Sequence, residues 1–362
     1  AAPGCGPRTP LMPSPVVAVK TLSVKAWLNI PCSHCHESFD IERQQARMAP
    51  DVPLVVADTE KPYAIMNDQG YYTCPHCQHQ HRDEIAAVKG ESSRLMKKSR
   101  KNKNVEMTLL VHPNWLQGAS GQDEQGPLGG STTSDVAATQ RWNKLRASTL
   151  KLLEVRGKLP EEVTCPETGK IFNTSQGNIP KKSTYTCQSE TCGREQDILT
   201  SVQSSGDTGP VTFYTLQCFS RNRKDSGSAY NGRYFKEIST SDVIRYNTCI
   251  EEWEKRKNSD LQGLWPNDEL SYGWKTHGWG IPEHGFTHYY KFFNERQRLV
   301  LALILKSIRD SYGFSQFTKD VVLGPFQQYL RNQNMFCFWN IQADKLEPMF
   351  TSNNYHSKSL PI

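Results

Sequence analysis

The chain has 362 residues, a net charge of +6, a mean hydropathy of −0.64 and 36% hydrophobic residues. Such a length allows two or three domains, each large enough to bury its own core. The longest apolar run, Leu299 to Leu305, is far shorter than the ~20 residues of a membrane-spanning helix, which argues against that class of protein. The mild basic excess is compatible with a nucleic-acid partner.

The chain contains 11 cysteines, which is an odd number. Several of them have the spacing of metal ligands, so reduced thiols are favoured over a disulfide framework. The cysteine content therefore predicts a cytoplasmic protein.

Two C-x-x-C pairs lie near the start of the chain, Cys32 with Cys35 and Cys74 with Cys77. Each pair places two thiolates on one tight turn, and two such turns complete the tetrahedral shell that zinc prefers. The 38 residues between Cys35 and Cys74 are about twice the usual gap, which an insertion in the ribbon loop would explain. We therefore predict one zinc ion shared by the four cysteines of a zinc ribbon.

Two alternatives remain for these pairs. They could be reduced cysteines without a metal, or a redox-active C-x-x-C, although no βαβ pattern surrounds either pair. A neighbouring histidine could also replace one cysteine as a ligand. The candidates are His36, His76, His79 and His81.

The most highly charged run of the chain follows the second pair. Lys and Arg neutralise phosphates and give a salt-sensitive affinity that is independent of base sequence. A solvated surface would explain such a run equally well. The candidates for contact with a DNA backbone are Arg94, Lys97, Lys98, Arg100, Lys101 and Lys103.

Local patterns predict the elements that follow. Residues 11–24 are expected to be irregular, whereas 53–58 and 105–111 have the composition of strands. Ser134 is expected to cap a helix that continues to Arg156 and ends at Gly157.

A second set of cysteines comprises Cys165, Cys187 and Cys192, in two turns that resemble those of a zinc ribbon. Thr168 occupies the place of the fourth ligand, so a metal here needs another donor, such as Cys5, Cys218 or a histidine. The alternative is a ribbon that folds without metal.

Residues 271–290 are rich in aromatic residues, histidine and glycine. Exposed rings there could stack on bases, and the candidates are Trp274, Trp279 and His288. A loop buried under the next helix is the alternative.

Asn294 to Gln297 forms a capping box that predicts a helix from Glu295 to about Asp310. Arg296 and Arg298 lie in its first turns, where the helix dipole disfavours cations, so a phosphate or a salt bridge is expected beside them.

The predicted fold class is α+β, with β-rich zinc-ribbon modules and helices in a loop-rich, multi-domain chain. The predicted parts are a zinc-ribbon domain with the basic run (1–117), a linker (118–134), a helix with a second cysteine-rich β module and a packing helix (135–270), and an aromatic loop followed by helices (271–362).

Several segments resemble the zinc-ribbon-containing adenine-specific DNA methylases of bacteria and archaea. The longest runs Gly285-Phe-Thr-His-Tyr-Tyr-Lys-Phe-Phe-Asn-Glu-Arg-Gln, and shorter matches occur in the same order. Among these are Cys5-Gly-Pro-Arg-Thr-Pro-Leu-Met, Tyr72-Thr-Cys-Pro-His-Cys, Leu153-Glu-Val-Arg-Gly-Lys-Leu-Pro, Cys192-Gly-Arg-Glu-Gln-Asp-Ile-Leu and Arg331-Asn-Gln-Asn-Met-Phe.

The resemblance implies transfer of a methyl group from S-adenosylmethionine to adenine N6 in DNA, often in host defence against phage through restriction-modification. Such an enzyme needs a glycine-rich cofactor turn and a tetrad of the Asp/Asn-Pro-Pro-Tyr type around the flipped base. This sequence has no Pro-Pro dipeptide and no such turn. The resemblance therefore covers the family's middle region, and no catalytic residue is carried over.

The sequence thus predicts a non-catalytic, zinc-stabilised DNA-recognition region. Its partners would be double-stranded DNA and the other parts or subunits of a methyltransferase complex, with S-adenosylmethionine bound only by the intact protein. One alternative is a protein-interaction scaffold with structural zinc. Another is a metal-dependent hydrolase that uses His277, His284 and His288 with Glu283.

Overall fold

The structure is a computed structural model, and it describes residues 9–83, 100–112, 122–123, 126–127, 136–181, 183–187, 192–205, 213–273 and 280–348. The strands are β1 Val16–Pro31, β2 Ser38–Glu42, β3 Leu54–Val56, β4 Tyr63–Ile65, β5 Tyr71–Thr73, β6 Gln80–Arg82, β7 Lys101–Val111, β8 Gln122–Asp123, β9 Gly126–Pro127, β10 Leu152–Arg156, β11 Glu162–Thr164, β12 Ile171–Asn173, β13 Thr184–Thr186, β14 Glu195–Asp197, β15 Thr215–Phe219, β16 Arg233–Glu237, β17 Phe338–Asn340 and β18 Lys345–Glu347. The helices are α1 Val136–Thr149, α2 Ile198–Ser205, α3 Arg221–Asp225, α4 Thr240–Arg256, α5 Glu295–Arg309 and α6 Gln316–Asn332.

A mixed six-stranded sheet organises the first half of the protein, with the strand order β3-β10-β7-β1-β2-β4. Its longest pairing is antiparallel, between β1 and β7. Residues 22, 24 and 26 of β1 are buried and residues 21, 23 and 25 are exposed, the alternation of a strand with one covered face. Register shifts interrupt β1 near each end, and such bulges bend and twist a strand.

Two predictions for this region were wrong. Residues 16–24, expected to be irregular, belong to β1. The helix expected to continue to Arg156 ends at Thr149, and Leu152–Arg156 is the strand β10. All five residues of β10 are buried, because β7 and β3 pair with its two edges and apolar clusters that include Leu152 on one side and Leu153 on the other cover its faces. A strand buried on both faces lacks the period-two alternation that would distinguish it from a helix.

The sheet joins segments that lie on both sides of the predicted linker 118–134. Strand β10 pairs with β7 and β3, which precede that linker in the chain. The largest apolar cluster likewise combines Met48 and Val105 with Phe235 and Val243. The segments before and after the predicted linker therefore form one sheet and share one apolar core.

A network of buried charges crosses the sheet. The guanidinium of Arg156 is fully buried and donates to Glu42 at 2.5 and 3.0 Å and to Glu60 at 3.0 Å. It also lies 3.5 Å from the ring centroid of Tyr63. Lys103 forms ion pairs with the same two glutamates at 3.2 and 3.3 Å. Pairing of this kind offsets the cost of burying the charges.

The helices α4 and α5 pack around Trp253, Leu261, Leu299 and Ala302. Capping boxes at Ser239 and Asn294 begin the two helices, and the second of these confirms the sequence prediction. The solvent-facing sides of the two helices carry exposed apolar residues. No described helix is long and apolar enough to cross a membrane.

Three apolar residues on these helices are exposed, whereas Tyr246, Leu301 and Ala302 are buried. The helical period alone is compatible with burial of either of two adjacent faces of a helix. The contact between α4 and α5 determines which face is buried. The exposed residues are Ile244, Val300 and Ile304.

Candidate metal centre

Strand β1 continues directly into the first cysteine turn. The N–H of Cys32 donates to the carbonyl of Glu37 at 2.9 Å, and the N–H of His36 donates back to the carbonyl of Cys32 at 3.2 Å. His36 has a φ of 64°, in the left-handed region. This turn holds the thiols of Cys32 and Cys35 on the same side of the backbone.

The second turn repeats this backbone geometry at the end of β5. The N–H of Cys74 donates to the carbonyl of His79 at 2.9 Å, and the N–H of Gln78 donates to the carbonyl of Cys74 at 3.0 Å. Gln78 has a φ of 59° at the position equivalent to that of His36. Two turns of one design thus meet, although they are far apart in the chain.

The four sulfur atoms of Cys32, Cys35, Cys74 and Cys77 all lie within 4.8 Å of one another. The Sγ atoms of Cys32 and Cys77 are 3.7 Å apart, and those of Cys35 and Cys74 are 3.8 Å apart. A tetrahedral zinc site with Zn–S bonds of about 2.3 Å has sulfur–sulfur edges of about 3.8 Å. The sulfurs therefore have the separation that a metal ion such as zinc requires, as the sequence predicted for these four residues.

The thiols of this group hinder one another's ionisation. Burial opposes ionisation of Cys32, but the N–H groups of Cys35 and His34 and the ring of His81 outweigh it and lower the pKa of Cys32 to about 5. At Cys35 the N–H of Glu37 favours the thiolate, yet burial and the neighbouring sulfurs raise the pKa to about 12. A shared cation would remove this conflict, because it stabilises every thiolate at once.

An apolar cluster lies beneath the cysteines and holds the two turns against the sheet. It connects the end of β1, through Trp27 and Ile30, with Phe39 and Ile41 on β2 and with Met66 before β5. The four cysteines therefore lie over an apolar base, and the 38 residues between the two turns include β2, β3, β4 and β5.

His81 reaches the metal centre from β6. Its Nε2 lies 3.3 Å from the Sγ of Cys32, and its Nδ1 lies 3.4 Å from the hydroxyl of Ser33. The contact with Cys32 has the length of a hydrogen bond to sulfur, so His81 supports the first turn and the four cysteines stay available to hold a metal ion.

We expect His81→Ala to weaken zinc binding by about ten- to hundredfold, as loss of a hydrogen bond to a metal ligand commonly does. Competition with a chromogenic chelator measures the change. The control is His76→Ala, because His76 is exposed in the second turn and its ring contacts Phe39 at 6.4 Å. Equal zinc affinity of the two variants would contradict a supporting role for His81.

Cys165, from the second cysteine set, lies in a turn of the same design between β11 and β12. Its N–H donates to the carbonyl of Lys170 at 2.8 Å, and the N–H of Gly169 donates to the Cys165 carbonyl at 2.8 Å. Gly169 has a φ of 68°. Thr168 stands where the other turns have their second cysteine, so this turn presents a single thiol.

Cys187 and Cys192 belong to a longer turn between β13 and β14, closed by a 2.9 Å bond from the N–H of Cys187 to the carbonyl of Arg194. In the part of the chain that the structure describes, only the first four cysteines form a group of three or more metal-ligating side chains. Cys165, Cys187 and Cys192 are not brought together in this way. A second zinc site stays a prediction, and Cys5, one candidate donor, lies outside the described residues.

The predicted basic run is only partly described, because Arg94, Lys97 and Lys98 lie outside the described residues. Arg100 and Lys101 are exposed at the start of β7. Lys103 instead points into the buried carboxylates and forms an ion pair with Asp40 at 3.0 Å. Burial opposes its charge, but Asp40, Glu42 and Glu60 raise the pKa of Lys103. Lys103 therefore belongs to an internal ion-pair network and is not a candidate for binding a DNA phosphate.

The structure describes only some of the residues predicted to contact DNA in the aromatic loop and at the start of α5. Trp274 and Trp279 lie outside the described residues. Arg296 is exposed on α5 and lines a cavity of about 240 Å³ with Arg245. His288 is half-buried, and the hydroxyl of Thr287 contacts its Nδ1 at 2.9 Å.

Arg298 is held within the protein by its own contacts. It forms a 2.6 Å ion pair with Glu295 and donates to the carbonyl of Phe293 at 3.0 Å. Its guanidinium also lies 5.5 Å from the ring of Trp253 and 5.3 Å from that of Tyr290. The salt bridge that the sequence offered as one explanation of this first-turn arginine is therefore present.

The histidines of the alternative hydrolase do not assemble into a metal site among the described residues. His277 lies outside them, and Glu283, His284 and His288 do not form a metal-ligating group with one another. Sequence reasoning missed the buried charges of β10, for which the signal was the presence of Glu154 and Arg156 among apolar residues. Arg156 pairs with Glu42 and Glu60, and Glu154 pairs with Arg47 at 2.5 Å.

Comparison with protein-family models, with curated proteins and with solved structures finds no match to this chain.

Proposed function

We propose that this chain is a zinc-stabilised DNA-recognition region of an adenine-specific DNA methyltransferase, without catalytic motifs of its own. The observation that carries the proposal is the group of four cysteine sulfurs within 4.8 Å of one another. In this proposal the turn at Cys32 and the hairpin of β5 and β6 form one zinc ribbon, which is one part of a multi-domain protein. The cofactor S-adenosylmethionine and the catalytic residues belong to other parts of the enzyme.

The position of the exposed basic residues supports a DNA partner. In the antiparallel pair of β1 and β7, Lys101 stands opposite Ala26 and Asn102 opposite Lys25. Arg100, Lys101 and Lys25 are all exposed. From this point β1 continues to Cys32 over about 20 Å, at about 3.3 Å per residue. The cationic end of β7 therefore lies about 20 Å from the first cysteine turn, a distance that one duplex could span.

We expect the zinc-loaded chain to bind duplex DNA at low salt and to lose affinity as the salt concentration rises. Each phosphate contact contributes a slope of about −0.9 in a plot of log affinity against log salt. Arg100→Ala with Lys101→Ala should reduce the slope by up to about 2. Fluorescence anisotropy with a labelled duplex measures both quantities. The control is Lys255→Ala, an exposed lysine on α4.

The DNA proposal fails if the wild-type chain has no affinity for the duplex at low salt, or if its affinity does not depend on salt. The isolated chain should also transfer no methyl group from S-adenosylmethionine to DNA. Transfer by this chain alone would contradict the view that the catalytic motifs lie elsewhere.

A protein-interaction scaffold is the second candidate, because α6 has an exposed apolar surface. No residue of α6 is buried, and Phe317 and Val321 are 76% and 57% exposed. Such a surface is typical of a protein contact. Unchanged DNA affinity after replacement of Lys97, Lys98, Arg100 and Lys101 together would favour the scaffold over the DNA-recognition region.

A further inference from the structure

The two cysteine turns carry four aromatic or imidazole rings that contact one another in a row. The rings of His34 and His79 are stacked, with centroids 5.0 Å apart and planes 7° apart. His79 contacts His81 edge-on at 4.8 Å, and His81 stacks on Tyr72 at 5.2 Å and 18°. We call His34, His79, His81 and Tyr72 the ring row; it bridges the two turns across the metal centre.

Two neighbouring members of the ring row, at one of its ends, are open to solvent. His34 and His79 are exposed, whereas His81 and Tyr72 are half-buried. His34 stands at the end of the row, and because its stacked contact with His79 covers only one of its faces, its other face is available to a ligand. The metal centre and the contact of His81 with Cys32 hold the row in place, so a ligand would meet a preformed surface.

The chemistry around the ring row favours bases over a protein partner. Residues 31–37 and 71–82 contain no leucine, isoleucine, valine or methionine, the side chains that an apolar protein contact would use. The same residues include one carboxylate, Glu37, so repulsion of a phosphate backbone is small. They also present amide and hydroxyl groups, at Ser33, Gln78 and Gln80, that can hydrogen-bond to base edges.

We propose that the ring row binds unpaired bases of DNA by stacking, with His34 and His79 as the contacting rings. This inference rests on the proposed function and adds its ligand form, which is a single-stranded or locally opened DNA segment. Histidine faces stack on bases as other aromatic side chains do, and paired bases inside a duplex do not offer their faces. Phosphates further along the same strand would reach Arg100 and Lys101, about 20 Å from the first cysteine turn.

The test compares the zinc-loaded full chain with the double variant His34→Ala and His79→Ala. The probe is a labelled oligothymidylate, and a second strand containing 2-aminopurine reports stacking through quenching of its fluorescence. We expect the double variant to bind the single strand about tenfold to hundredfold more weakly and to lose the quenching. Its affinity for duplex DNA should change little, because the basic residues are intact.

Three controls separate stacking from misfolding. Zinc content of the double variant should equal that of the wild type, since neither side chain is a ligand. His76→Ala removes an exposed histidine from the same turn but from outside the ring row, and should bind as the wild type does. His34→Phe with His79→Phe keeps the ring faces and should restore both affinity and quenching.

Each outcome decides between the two proposals. If the wild type binds duplex DNA in a salt-dependent way but the double variant keeps its affinity for the single strand, the ring row is not the binding surface and the proposed function stands. An equal loss of duplex and single-strand affinity in the double variant also overturns the stacking proposal. If the wild type binds neither form of DNA, both proposals fail.

Discussion

Cys74→Ser should release the metal and unfold the region around the two cysteine turns. Cys74 is fully buried, and its sulfur lies 3.8 Å from that of Cys35. Serine cannot supply a thiolate, and a structural zinc site contributes its binding free energy directly to folding. We expect zinc content to fall from about one ion per chain towards zero, and the free energy of unfolding to drop by more than about 4 kcal/mol. Elemental analysis and chemical denaturation measure these two quantities.

The matched control is Cys218→Ser, which changes a half-buried cysteine on β15 outside the metal centre. This variant should keep its zinc and most of its stability. A chelator should reproduce the effect of Cys74→Ser in the wild-type protein, and more readily at lower pH, because protons compete with zinc for the thiolates. Full zinc content in the Cys74→Ser protein would show that the four cysteines do not share an ion.

Arg156→Met should be the most damaging single change away from the cysteines. It removes a fully buried guanidinium from Glu42, which is also fully buried, and leaves Lys103 to compensate the charges of both Glu42 and Glu60. Breaking a buried ion pair from one side costs about 3 to 5 kcal/mol. The midpoint of urea denaturation should therefore fall, with little change in its slope.

Two comparisons test whether the buried charge is the cause. The double variant Arg156→Met with Glu42→Leu removes both charges and should recover part of the lost stability. Arg256→Met breaks an ion pair of similar length, 2.6 Å to Asp260, but on the surface, and should cost far less stability because water solvates both charges. If Arg156→Met is as mild as Arg256→Met, the network contributes little to the stability of the fold.

Much of the local structure was predictable because neighbouring residues determine it. The two C-x-x-C pairs predicted the metal centre, since a tight turn orients both thiols whatever surrounds it. The capping box at Asn294 located the start of α5, because its hydrogen bonds join residues three positions apart. The strands at 53–58 and 105–111 were also predicted, and the structure has them as Leu54–Val56 and Lys101–Val111.

Local sequence was therefore enough to identify the residues of the two cysteine turns and the start of α5. It was not enough to show that Leu152–Arg156 is a strand, because pairing with β7 and β3 outweighs a helical pattern. Only the tertiary structure decided that Lys103 and Arg298 serve internal ion pairs, while Arg100 and Lys101 stay exposed. A charged residue looks the same in sequence wherever it lies, and the partners that bury it come from distant parts of the chain.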